Sequence, residues 1–324
     1  MEKRVQCELC PNGCVLELGQ HSKCRARMNK DGTLYSLVYG KPCAVHVDPI
    51  EKKPFFHFLP GTTAFSIATA GCVLSCKFCQ NWQISQAKPE DTDTYDLPPE
   101  KVVSNAVAYK CRSVTYTYTE PTVFYEYMYD TAVIAKKQGI KNTMHSCGYI
   151  NEKPLRTLSK YMDAADIDLK GFTEDFYSRI CSGSLRPVLN SLVILKEEGV
   201  WLEITNLVIP TLNDDLKIIR EMSRWIVKNL GADVPIHFSR FFPHYKLTNL
   251  PPTPIETLEG ARKTAMDAGL KFVYIGNILH EGENTFCPKC KKVLIERMGY
   301  FVKQNHVSNG KCKFCNTSIP GVWS

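Results

Sequence analysis

The sequence predicts an α/β fold: a mostly parallel sheet of repeated βα units, curled into a partial barrel of (β/α)6 type and flanked by two small cysteine-rich segments. Three observations predict it. Between residues 61 and 282, short β-rich runs alternate with helical periodicity, as in βα repeats. A tight three-cysteine loop follows the first of these runs, at a strand's carboxyl end, where barrels carry their chemistry. Four of the 15 cysteines crowd the first 24 residues and four more the last 40. This divides the chain into a cysteine-rich metal-binding segment at 1–60, a barrel at 61–282 and a ribbon-like metal-binding segment at 283–324.

The elements follow in order. Residues 64–70 form a short apolar strand, and 98–109 a helix opened by two prolines and a glutamate. Residues 113–118 alternate β-branched and aromatic side chains, which suits a strand, and 122–138 form a helix closed by Gly139. Strands at 141–146, 165–169, 201–208, 234–239 and 271–274 alternate with helices at 152–162, 188–198, 214–229 and 255–268. Gly199, Gly231 and Gly269 stand just past three helix ends, where a left-handed residue is favoured.

Composition narrows the function classes. Forty basic against 33 acidic residues give +7 without a Lys/Arg block, which permits nucleic acid without implying it. No apolar run approaches the roughly 18 residues a membrane span needs, and residues 1–10 lack the apolar stretch of a signal peptide, so a soluble, cytoplasmic protein without membrane contact is expected. In that setting an odd cysteine count points to metal or redox chemistry more than to disulfides.

The chemical centre is Gly71-Cys72-Val73-Leu74-Ser75-Cys76-Lys77-Phe78-Cys79. Three thiolates are one too few for a closed zinc site, whereas on a cubane iron–sulfur cluster they leave one iron open. The bland alternative is three cysteines that merely line a core. The Cys72, Cys76, Phe78, Cys79 spacing resembles the radical S-adenosylmethionine superfamily. More narrowly, Ala70-Gly71-Cys72 through Phe78-Cys79-Gln80-Asn81-Trp82, with Asp48-Pro-Ile-Glu-Lys-Lys-Pro54 upstream, is similar to the AmmeMemoRadiSam-system radical enzymes, relatives of pyruvate formate-lyase activating enzymes.

That resemblance implies a [4Fe-4S] cluster on Cys72, Cys76 and Cys79 and S-adenosylmethionine chelating its open iron. It implies reductive cleavage to a 5′-deoxyadenosyl radical, hydrogen abstraction from a substrate, and an electron donor such as a ferredoxin or flavodoxin. Phe78 belongs to the cluster loop on the cofactor side. Glu120, in Tyr118-Thr119-Glu120-Pro121, resembles the acceptor for the methionine ammonium, although a helix-start carboxylate reads similarly. Ser146 is a contact to the cofactor's polar end. Cys147 departs from the Asn that relatives usually carry, and stays open as a core residue, a neutral replacement or a thiol at the site mouth. Asp168 and Lys170 resemble a segment that meets the cofactor carboxylate or ribose, and strand alternation sends both to one face with Asp166. Asn206 is a further cofactor contact or a local turn bond, and Asn277 an adenine-side contact. His237 and Arg240 are the substrate-side candidates, with a satisfied core histidine the bland reading of His237.

Two outer cysteine sets remain. Cys287-x2-Cys290 and Cys312-x2-Cys315, separated by short β patterns, describe a zinc ribbon, with rubredoxin-type iron as the alternative from the same ligands. Cys7, Cys10, Cys14 and Cys24 are spaced irregularly and suit zinc or an auxiliary iron–sulfur cluster, with Cys43 a spare thiol. The expected function is a radical enzyme acting on a protein or peptide, in the manner of an activating enzyme. The alternatives are a nucleic-acid (tRNA-type) modifying radical enzyme and a non-catalytic iron–sulfur electron carrier.

Overall fold

The computed structural model describes residues 3–324. Its centre is one eight-stranded sheet. The strands are β1 (Ala44–Pro49), β2 (Thr63–Ala68), β3 (Ser113–Tyr116), β4 (Lys141–Ser146), β5 (Ala164–Asp168), β6 (Trp201–Val208), β7 (Ile236–Arg240) and β8 (Val273–Gly276), in spatial order β8-β7-β6-β5-β4-β3-β2-β1. Strands β2 to β8 are parallel, and β1 pairs antiparallel with β2 from Ala44 opposite Ala68 to Pro49 opposite Thr63. Six helices fill the crossovers: α1 (Pro99–Ala108), α2 (Tyr125–Lys137), α3 (Glu152–Ser159), α4 (Leu185–Glu197), α5 (Leu216–Asn229) and α6 (Ile255–Asp267).

The order is open, yet residues following β1, β2 and β8 line one cavity, so the sheet curls as a partial barrel. Parallel strands covered by helices bury both faces, which is why β3 reads Ser-Val-Thr-Tyr with all four residues buried. Gly139 and Gly269 follow α2 and α6 at φ +73° and +112°, a conformation that costs a β-carbon-bearing residue free energy. No helix among the described residues is long and apolar enough to cross a membrane.

Two features were not legible in the sequence. Strand β1 lies at the sheet edge with its side chains half exposed, so it lacks the apolar run that marks its neighbours. It ties residues 44–49, grouped above with the amino-terminal cysteines, into the barrel sheet. Between β5 and α4 the chain forms a short helical turn at Glu174–Phe176 and a wide turn at Tyr177–Cys181, too short to show a period.

The carboxyl-terminal segment is a three-stranded antiparallel sheet in which Thr285–Phe286 pairs with β9 (Val293–Met298), and β9 with β10 (Phe301–Asn305). Leu294, Ile295, Cys287, Cys312 and Ile319 pack with Phe56, Phe272 and Tyr274 of the barrel. Buried Glu203 of β6 fixes the adjoining loop. It accepts from the backbone N–H of Phe56 (3.0 Å) and His57 (2.8 Å), from Trp201 Nε1 (3.1 Å), and pairs with His237 Nε2 (2.8 Å).

Candidate active site

The three-cysteine loop leaves β2 and is held by backbone bonds from neighbouring segments. Gly71 N–H donates to Ile84 O (2.9 Å), Ser75 N–H to Cys181 O (3.0 Å), Lys77 N–H to Ile180 O (2.9 Å) and Lys246 N–H to Lys77 O (2.9 Å). The wide turn at Tyr177–Cys181 therefore serves as the backing of the loop. Cys72, Cys76 and Cys79 all line a cavity of about 390 Å³, as does Phe78. Burial raises the thiols of Cys72 and Cys79, while Cys76 is raised first by its hydrogen bond with Cys181 and then by burial. Three thiols so placed become thiolates when a cation sits between them, the condition an iron cluster meets. The donor set fits that group.

Glu120, 1% exposed, faces the same cavity at the start of the turn Pro121–Phe124. Its Oε1 accepts from Thr122 N–H (3.1 Å), Thr122 Oγ1 (2.7 Å) and Ser146 Oγ (2.8 Å), and its Oε2 from Cys147 N–H (2.8 Å). A carboxylate oxygen has two lone pairs, so Oε2 retains capacity for one more donor. Ser146 thus acts first as a prop for Glu120, and it also accepts from Gly148 N–H (3.0 Å). Cys147 lines the cavity, its thiol raised by burial and then by Glu120.

A charged quartet closes the far wall. Lys170 Nζ lies 2.7 Å from Asp168 Oδ2; His145 Nε2 lies 3.4 Å from the same oxygen, and its Nδ1 lies 2.5 Å from Asp166 Oδ2. Asp166 also accepts from Thr205 Oγ1 (3.0 Å). Burial opposes a charge on His145, but Asp168 and then Asp166 outweigh it and push its pKa up to about 10. Burial likewise disfavours the Asp168 carboxylate, yet Lys170 and His145 hold it well below the usual range. Asp166 goes the other way, raised by burial despite His145, so Lys170 and His145 mainly offset the charge of Asp168, which is how such a group is tolerated inside a barrel. His145 escaped the sequence reading because only the pairing of β4 with β5 sets it opposite Asp166.

The quartet predicts an alkaline loss of stability. A histidine raised from about 6.5 when unfolded contributes stability that is fully present below that value and is lost as pH rises toward about 10. Urea unfolding should show the wild type losing about 2–4 kcal/mol across that window relative to His145→Gln. Parallel pH profiles for the two proteins would refute the pairing.

Three other expected residues, Asn206, His237 and Arg240, lie apart from this cavity. On β6 Thr205 and Leu207 line it; Asn206, between them, points away, and its Nδ2 donates to Leu169 O (2.6 Å). His237 is buried against Glu203 and stacks on Tyr274, with ring centroids 5.1 Å apart, and borders a second cavity of about 440 Å³. Arg240 is spent on Thr253 O (2.9 Å) and stacks on Phe242. These placements correct two expectations: Asn206 is off the cofactor cavity because alternation turns it toward the helix layer at Met222, and Arg240 anchors a loop; His237, held by Glu203, stays at the border of the second cavity. Asn277, at φ +61°, borders both cavities, which also share Lys52, Pro54, Gln80, Ser239 and Tyr300. At the rim, buried Lys53 pairs with Asp48 (2.7 Å) and lies 3.9 Å from the Tyr118 ring, whose hydroxyl donates to Asp48.

Cys287, Cys290, Cys312 and Cys315 gather their sulfurs within 4.8 Å of one another, with Cys287 to Cys315 at 3.6 Å and Cys290 to Cys312 at 3.8 Å. A tetrahedral ion with bonds of about 2.3 Å sets its ligand sulfurs about 3.8 Å apart, so this set fits a single metal ion. At the other terminus Cys7 N–H donates to Cys14 O (2.9 Å), and the thiols of Cys7, Cys14 and Cys24 all interact electrostatically with that of Cys10.

Comparison with known proteins agrees with this geometry. The family model described as the radical SAM superfamily matches residues 66–222. An uncharacterized protein of Methanocaldococcus jannaschii is 46% identical over 321 residues, 98% of this chain and 96% of that protein. The pyruvate formate-lyase-activating enzyme of Clostridium pasteurianum is 27% identical over 169 residues, 49% of this chain and 67% of the enzyme. Two solved structures share the fold. One is a radical SAM methyltransferase from Sphaerobacter thermophilus, with TM-score 0.53 and 14% identity over 68% of each chain. The other is Streptococcus suis SuiB bound to its precursor peptide SuiA, with TM-score 0.52 and 15% identity over 69% of this chain and 50% of that one. With three cysteines on the loop after β2, Glu120 after β3 and a match that begins inside β2, the chain carries a radical SAM domain over residues 66–222.

Proposed function

We propose that the protein is a radical enzyme that cleaves S-adenosylmethionine reductively and abstracts hydrogen from a protein or peptide segment. The observation that carries this reading is the convergence of Cys72, Cys76, Cys79, Glu120, Asp168 and Lys170 on one cavity. When bound, the [4Fe-4S] cluster and S-adenosylmethionine supply the one-electron chemistry that generates the 5′-deoxyadenosyl radical. The chain's own residues bind and orient. Cys72, Cys76 and Cys79 hold the cluster, the spare lone pair of Glu120 Oε2 accepts the methionine ammonium, and Lys170, kept charged by Asp168, meets the carboxylate. Phe78 and Leu74 exclude water beside the loop.

The substrate reading draws on the second cavity, which continues the first toward the carboxyl-terminal sheet and is lined by Phe56, Phe242, Ile278 and Leu279. Its lining also carries Glu51, Lys52, Gln80, His237 and Glu283, so the path offers an extended peptide segment both apolar and hydrogen-bonding contacts. Partial likeness to a pyruvate formate-lyase-activating enzyme supports the same class. The carboxyl-terminal cysteines hold zinc in this reading, stabilising a segment with little apolar core.

The test is an anaerobic assay of reconstituted protein with S-adenosylmethionine and a strong reductant, read chromatographically for 5′-deoxyadenosine, together with a zinc count. Formation of 5′-deoxyadenosine and at least about one zinc per chain are expected. Cluster-loaded protein that forms none, with or without peptide, would overturn the enzymatic reading.

A further inference from the structure

We propose that Cys7, Cys10, Cys14 and Cys24 ligate a second cubane iron–sulfur cluster, which passes electrons to the cluster on the Cys72 loop. The ligation stands on its own geometry; the relay rests on the functional reading above.

The spacing of the sulfurs separates this set from a zinc site. Zinc draws four thiolates onto one ion, and the carboxyl-terminal set is already gathered that tightly. Among the described residues it is the one group of three or more ligand atoms lying within 4.8 Å of one another. By that measure neither the amino-terminal thiols nor Cys72, Cys76 and Cys79 are gathered onto one ion, although within each set the thiols interact electrostatically. A cubane places each thiolate on a different iron and so needs the wider arrangement.

The set is built, and it is built against the active site. Strand pairing of Val5–Gln6 with Val15–Leu16 brings Cys7 and Cys14 together, and Cys10 sits in the turn between them. Cys7, Cys10 and Cys24 are buried. Arg27, 3% exposed and ion-paired to Glu126 at 2.7 Å, interacts electrostatically with the thiols of Cys7 and Cys24.

Contact with the Cys72 loop is direct. Asn12, inside the cysteine turn, donates from Nδ2 to Val73 O at 2.8 Å. The carbonyl oxygen of Cys24 lies so close to Gly71 that a β-carbon there would stand 2.4 Å from it, and Gly71 has φ +98°. One ligand of each set is therefore within a residue of the other's backbone. On the outer side Cys14 is partly exposed, and Val15 and Leu18 beside it are more than half exposed, which offers an apolar face to a one-electron donor protein of the ferredoxin or flavodoxin class. One electron enters from that donor, reduces the amino-terminal cluster and leaves it for the Cys72 cluster, which restores the first to its oxidised state.

The test uses the full chain, reconstituted anaerobically with iron and sulfide. About eight irons per chain are expected in the wild type and about four in the variant Cys72→Ala/Cys76→Ala/Cys79→Ala, with an electron paramagnetic resonance signal on reduction. Adding Cys10→Ser to that variant should remove the remaining iron and signal. Four irons in the wild type with two zincs per chain would overturn the ligation, and circular dichroism of each variant identifies any that fails to fold, in which case the wild-type count decides. For the relay, Cys10→Ser on the intact loop should lower 5′-deoxyadenosine formation driven by flavodoxin about tenfold relative to that driven by dithionite. An unchanged ratio would overturn the relay. Failure of the enzymatic reading shows separately, as wild type that forms no 5′-deoxyadenosine with dithionite.

Discussion

Cys76→Ala is expected to lower 5′-deoxyadenosine formation by at least about 10³-fold, because ligands that act as a unit fail together. Cys76 is buried in the loop between two backbone bonds to the Tyr177–Cys181 turn, and its thiol bonds that of Cys181. With alanine there, two loop thiolates remain for a cluster that needs three. Cys111→Ala is the control: it too removes a buried cysteine, but one whose thiol lies near Tyr109 O, outside the cavity lining. It should retain wild-type cleavage. Undiminished cleavage by a cluster-containing Cys76→Ala sample would sink the assignment of the loop.

Glu203→Ala should be the most destabilising single change in the barrel. Glu203 is fully buried, and His237 with the N–H groups of Phe56 and His57 offsets the cost of burying its carboxylate. Removing it orphans two backbone donors, the Trp201 indole N–H and one nitrogen of His237 at once. Leaving a buried donor without its acceptor costs about 1–3 kcal/mol, and four donors lose theirs together. Chemical denaturation should show a loss of at least about 3 kcal/mol, with the loop from Phe55 to Phe58 becoming protease-sensitive. A loss below about 1 kcal/mol would mean that water replaces the carboxylate and that Glu203 is no anchor.

Much of this architecture was readable residue by residue. The strand at 201–208 runs as its composition predicts, because buried parallel strands carry β-branched and apolar side chains whatever surrounds them. The cysteine loop was readable because its chemistry depends on spacing along the chain, and Glu120 because it follows a strand end. Asn206 misled for the converse reason: its position past mid-strand suggests the mouth, but period-two alternation in the actual register gives that face to Thr205 and Leu207. Arg240 misled because a cation near a barrel mouth looks free until the loop that carries Thr253 folds over it.

The sequence by itself determined the βα alternation, the three cysteine territories and the loop chemistry, all of which are encoded within a few consecutive residues. Only the tertiary structure decided that His145 stands between Asp166 and Asp168, that Glu203 holds the loop carrying Phe56 and His57, and that the amino-terminal cysteines press on Gly71. These contacts join residues tens to more than a hundred positions apart. Their partners are chosen by strand register and packing, and a local pattern carries no record of either.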